Sequence, residues 1–145
     1  MARAAEKTDV LAIMPLLIAM HGESSFADLT LDLTLVRQSL ERWIDSPECC
    51  VFIAERDGEV VGIMAGCASE PWFTTDKVGY DFIFYLAPAV RGSVTGMRLF
   101  VMWSDFCIAQ GVKQLRPAVS TGNDCGKFFE RLGFVPQGST YLMGV

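Results

Sequence analysis

The run from Tyr80 to Gly96, YDFIFYLAPAVRGSVTG, holds the residues whose types and spacing speak most directly of chemistry. An apolar, β-rich stretch ends at Leu86-Ala87-Pro88. Arg91-Gly92-Ser93-Val94-Thr95-Gly96 then leads into a long apolar helix. Small residues at such a junction let successive backbone N–H groups point the same way, and a helix N-terminus adds partial positive charge. That combination suits a phosphate or pyrophosphate, with a ligand-free glycine-rich turn as the alternative. Upstream, Asp81 is a carboxylate in an otherwise apolar strand. Burial raises a carboxyl pKa, which suits a proton acceptor. A structural carboxylate that caps backbone or pairs with an arginine is the other reading.

The elements that must position these residues belong to a chain of 145 residues, 51% hydrophobic, with mean hydropathy +0.32. This is too apolar for a disordered chain, and residues 1–145 are expected to form one domain. A net charge of -5 argues against general nucleic-acid binding, which needs a basic face, and is compatible with a cationic substrate. Five scattered cysteines without CxxC spacing, and a start lacking the layout of a secretory leader, point to reduced thiols in a cytoplasm. With one histidine, no metal set is expected. The longest apolar run near the start, Val10 to Met20, is short and interrupted by Pro15, so no membrane span is expected.

Helical spacing predicts a first helix from Thr8-Asp9, kinked or delayed by Pro15, then a polar loop over 21–31 and a second helix over 34–44. Residues 51–55 and 59–67 read as strands joined by the hairpin dipeptide Asp57-Gly58. Residues 78–87 form a strand apolar enough to be central and covered on both faces. A helix over 95–109, apolar nearly all round, is followed by a strand over 115–119 and a helix over 123–132. A closing hairpin is expected from Phe134-Val135 to Thr140–Met143.

This order resembles the GNAT superfamily of acetyl-CoA-dependent N-acetyltransferases. The resemblance rests on the hairpin VFIAERDGEVVGIMAG (51–66), YLAPAVRG (85–92), the loop from Arg91 to Gly96, and KFFERLGF (127–134). It implies an α+β fold, with a central, mostly antiparallel twisted sheet of six to seven strands flanked by about four helices. It also implies acetyl-CoA as cosubstrate, without a metal, and direct acetyl transfer to a primary amine on a small molecule or peptide. With the two-sided helix, it implies a homodimer.

By the same resemblance, amides near Leu86 and Ala87 stabilise the developing oxyanion. Amides of Ser93, Val94, Thr95, Gly96 and Met97 hold the pyrophosphate, with Arg91 adding charge. Val94 stands where the family pattern has glycine, and Gly92 supplies the flexibility instead. Asn123, or Gly122, matches an asparagine on the pantetheine arm, and Asn123 is equally a helix N-cap. Phe128 packs against that arm or fills the core. Asp81 is the candidate base. Phe129 stands where many members have the tyrosine that protonates the leaving thiolate, and Tyr141, Tyr85, Cys125 or a water are its substitutes. His21 and Glu23 belong to a substrate-side loop, Glu70 and Asp76 are possible contacts for a cation, and Trp72-Phe73 a possible wall. Phe129 and Val94 also motivate the alternative of an acyl-CoA-binding or interaction protein that keeps the fold with little catalysis.

Overall fold

The turn at Asp57-Gly58 sets the sheet. Both residues have positive φ (52° and 78°), the conformation whose twist matches a tight antiparallel hairpin. It joins β2 (Cys49–Arg56) to β3 (Glu59–Ser69). The structure, a computed structural model, describes residues 1–119 and 125–145. Its other elements are β1 (Ala2–Ala4), α1 (Val10–Glu23), α2 (Leu33–Asp45), β4 (Val78–Leu86), α3 (Val94–Ala109), β5 (Gln114–Arg116) and α4 (Cys125–Arg131). The sheet order is β1-β2-β3-β4-β5; every pairing is antiparallel except that of β4 with β5.

Alternation along the strands divides the core into two layers. Ile53 and Ile63 pack with Ile13 and Leu17 of α1 and Leu40 of α2. Their sequence neighbours Ala54 and Met64 face the other way, toward Leu99 and Trp103 of α3 and Phe129 of α4. Pro15 sits inside α1. Its missing N–H orphans the Leu11 carbonyl, but both residues are exposed, so water can replace that bond.

Several expectations change. The described residues form five strands rather than six or seven. The anticipated closing hairpin is absent from 134–145. Pro136, Gly138 and Gly144 interrupt that stretch, and Val135, Leu142 and Met143 remain exposed. β5 ends at Arg116, before Pro117, which has no N–H for a ladder. β1 escaped the sequence reading because three residues carry no period. Arg3 fastens it, pairing with Asp9 at 2.8 Å and Glu55 at 2.9 Å. α1 continues through His21 to Glu23, where a loop was expected. α3 buries one face and leaves Met97, Val101 and Ile108 exposed.

The register of β3 with β4 slips between Ala65 and Gly66, so Phe82 is an extra residue on β4. Phe82 stacks on Trp43 of α2, with ring centroids 4.5 Å apart. Opposite the slip, Trp103 Nε1 donates to the Tyr80 carbonyl at 3.3 Å. Gly66 lies beneath that bond: a Cβ there would collide with the Tyr80 oxygen and the Trp103 ring. Backbone on one side and a fully buried indole on the other leave no room to yield. Gly66→Ala is therefore expected to destabilise the protein by about 2–3 kcal/mol, lowering Tm by roughly 5–10 °C in a thermal melt.

Candidate active site

β5 accompanies β4 for three residues only, Val78 to Tyr80 against Gln114 to Arg116. Beyond Tyr80 a side-chain bond continues the join, in which the Ala118 N–H donates to Asp81 Oδ1 at 2.9 Å. A cavity of about 340 Å³ opens there. Asp81 to Phe84 form one wall, Ala118, Val119 and Cys125 a second, and residues of α1 and α2, among them His21 and Trp43, a third.

Burial pushes the Asp81 carboxyl up to about 6, although the Ala118 N–H pulls the other way. The group can thus hold or release a proton near neutral pH, and it faces the cavity.

The backbone of β4 supplies donors. The Ala87 N–H gives its hydrogen bond to the Val61 carbonyl at 2.8 Å and is spent in the sheet. Ala87 is thereby corrected as an oxyanion donor. Amides alternate sides along an antiparallel strand, so those of Phe84 and Leu86 point away from β3, toward the side where β5 departs. Leu86, the other residue expected from the sequence, keeps that role open.

At the end of the strand the chain turns through Pro88–Val90 into α3. Gly92 has φ 78°, a left-handed conformation that favours glycine; Val94 has no positive φ. Ser93 caps α3, its own amide bonded to Val90 and its side chain accepting from the Thr95 N–H. The remaining N–H groups without an intrahelical partner are those of Val94 and Gly96. Met97, also expected among the anion donors, follows in the same first turn. Thr95 is engaged by Ser93. Gly96 lets α3 approach β4: a Cβ would lie 3.1 Å from Leu86 Cδ1. Within the run from Ser93 to Met97, the turn can meet an anion through the amides of Val94 and Gly96 and the helix end.

Arg91 reaches back instead of outward. Its Nε donates to the Leu86 carbonyl at 3.0 Å, and a terminal nitrogen pairs with Glu23 at 2.8 Å. Its guanidinium carbon stands 5.2 Å from the centroid of the Tyr85 ring. Burial, and then the Glu23 carboxylate, raise the Tyr85 phenol. This join between α1 and the strand end was missed in the sequence, where Arg91 and Glu23 lie 68 residues apart.

Phe128 and Phe129 join Phe84, Phe100 and Phe134 in a cluster of rings, with neighbouring centroids 5.6–6.1 Å apart. Phe129 is buried and Phe128 half-buried. Tyr141 is 92% exposed, and none of the three tyrosines lines the cavity. Trp72 and Phe73 are exposed and, like Glu70 and Asp76, do not line it. Asn123, with Gly122, lies outside the described residues. Among the described residues, no group of three His, Cys, Asp or Glu could hold a metal ion, and no helix is long and apolar enough to cross a membrane.

Because the folded Asp81 pKa lies above that of an unfolded aspartate, about 3.9, its stabilising protonation is complete below about pH 4. It is lost as pH rises through about 6. Asp81→Asn can keep the Ala118 bond without the buried charge. The variant is expected to be more stable than the parent at pH 8 by up to about 2–3 kcal/mol, the gap closing by pH 4 in denaturant titrations.

The sequence model of the Acetyltransferase (GNAT) family matches residues 17–134. No curated protein sequence matches the chain. Among solved structures, glucosamine-6-phosphate N-acetyltransferase from Arabidopsis thaliana superposes with TM-score 0.78 at 13% identity, over 99% of this chain and 97% of that one. AAC(6')-Iy, in complex with the bisubstrate analogue CoA-S-monomethyl-acetylneamine, gives TM-score 0.80 at 15% identity, over 100% and 97%. Ribosomal-protein-alanine N-acetyltransferase from Brucella melitensis biovar Abortus 2308 gives 0.71 at 17%, over 100% and 99%. At such identities these likenesses show the fold alone. The family match spans most of the sequence, from within α1 to the residue Phe134 that closes the ring cluster, and on that ground the chain belongs to the GNAT family of acetyltransferases.

Proposed function

We propose that this chain transfers an acetyl group from acetyl-CoA to a primary amine by direct attack, with Asp81 receiving the amine proton. The observation that carries this reading is one of position: the carboxylate with the raised pKa faces the opening between β4 and β5, and the same β4 leads into the Gly92–Gly96 turn. Acetyl-CoA, the cosubstrate of the family, supplies the activated acetyl group. The complex of AAC(6')-Iy with a CoA-containing bisubstrate analogue lends support.

The residues divide the work. The amides of Val94 and Gly96, at the positive end of α3, hold the pyrophosphate. The Leu86 amide donates to the carbonyl oxygen as it gains negative charge. Asp81 takes the proton that an amine of pKa near 10.4 carries at neutral pH. No tyrosine assists the leaving sulfur. A thiol of pKa about 8.5 departs as thiolate without one, at a cost on the order of 10–100-fold in rate.

A second reading has its own observation, the buried Phe129 in the place of the family's tyrosine: an acyl-CoA-binding protein with little transfer. Calorimetric titration with acetyl-CoA, followed by a thiol-release assay, separates the two. Micromolar binding with amine-dependent thiol release is expected. Binding without release favours the second reading, and no binding up to millimolar ligand overturns both.

Val94 is 62% exposed at the first turn of α3, so Val94→Glu should fold normally. It sets a negative charge beside the anion site and is expected to weaken acetyl-CoA binding at least 10-fold by the same calorimetry. In the parent, kcat/KM should rise with pH through about 6 as Asp81 ionises. Asp81→Asn should abolish that bend and lower kcat/KM by about 100-fold or more.

A further inference from the structure

The acceptor wall of the cavity is mostly apolar, with His21, Ser24 and Ser39 as its polar members. Trp43 and Phe82 form a stacked pair along it, and Leu17, Leu35 and Phe26 continue the surface to the rim. Leu35 is 57% and Phe26 54% exposed. Two large apolar side chains thus stand in water at the mouth, where a ligand with an apolar body would cover them. Against this, Asp81 is the single carboxylate lining the cavity among the described residues. His21, on the helix side, is an imidazole and offers an ammonium no carboxylate. Among the described residues, one ammonium entering here meets one carboxylate. A second would face Trp43, Leu35 and Phe82 with no further carboxylate among the described residues. The volume, about 340 Å³, is at the small end for ligand pockets.

We propose that the acceptor is a small amine with one positive charge on an apolar, ring-bearing body, and that polyamines and amino sugars with several ammonium groups are excluded. This rests on the N-acetyltransferase reading of the same cavity. The ring lies against Trp43 and Leu35 while the amino group reaches Asp81, so the wall sets specificity and the carboxylate sets chemistry. Aromatic surface at the wall favours offset or edge-on contact with a ring, which an aliphatic polycation cannot offer.

The test compares phenethylamine, spermidine, neamine and a lysine-containing peptide in the thiol-release assay. Phenethylamine is expected to show a kcat/KM at least 10-fold above each of the others. Leu35→Asp, at an exposed position that does not threaten folding, should raise the KM for phenethylamine at least 10-fold with a smaller change in kcat, and narrow its margin over spermidine. Trp43→Ala should act in the same direction. If spermidine, neamine or the peptide is the better substrate, the proposal is overturned and the transferase reading stands. If no amine is acetylated, calorimetric titration of phenethylamine into protein saturated with acetyl-CoA decides. Saturable binding weakened at least 10-fold by Leu35→Asp upholds the apolar cavity while the transfer reading fails; absence of binding overturns both.

Discussion

The site depends on the parting of β4 and β5. A sheet that stayed paired to the end of β4 would turn the Phe84 and Leu86 amides into ladder bonds and leave no opening. Three features enforce the separation. Pro117 has no N–H to offer, the Asp81 side chain takes the Ala118 amide that a strand would have engaged, and the aromatic rings of α4 gather around Phe84 on one face of β4. The two-layer core holds the strand from both sides, so the gap is a property of the packed fold rather than of a loop.

The same strand solves two further problems through its glycine neighbours. Gly66 makes room for the Trp103 indole over the register slip, and Gly96 lets α3 sit close on Leu86. Phe82, the extra residue at the slip, places a ring against Trp43 within the layer that also contains Ile83. The bulge therefore builds an aromatic wall next to a carboxylate, two residue types that strict alternation at adjacent positions would send to opposite faces.

Features with a local signature were legible in the sequence. Asp57-Gly58 between two alternating runs marked the hairpin, the apolar stretch of β4 marked a central strand, and the glycine-flanked start of α3 marked the turn. The placement of Asp81 in the cavity accords with its reading as a carboxylate in an apolar strand. What escaped is set by partners distant in the chain. Glu23 looked like part of a polar loop because its partner Arg91 belongs to another element. The slip at Phe82 has no local mark, and the end of the chain has apolar residues at strand-like spacing but no strand beside it. Trp43 read as a core residue of a helix, and only the packed sheet reveals that its ring also faces the cavity.

One carboxylate holds the Ala118 N–H and is also the base of the proposed reaction, and this double duty has an evolutionary consequence. Asparagine at 81 could accept the Ala118 N–H without the cost of a buried charge, so selection for folding alone has no need of the acid. In a lineage released from the reaction, drift toward the amide would be tolerated or favoured. Under the proposed reaction, an aspartate kept at 81 is a residue that selection for folding alone would not preserve.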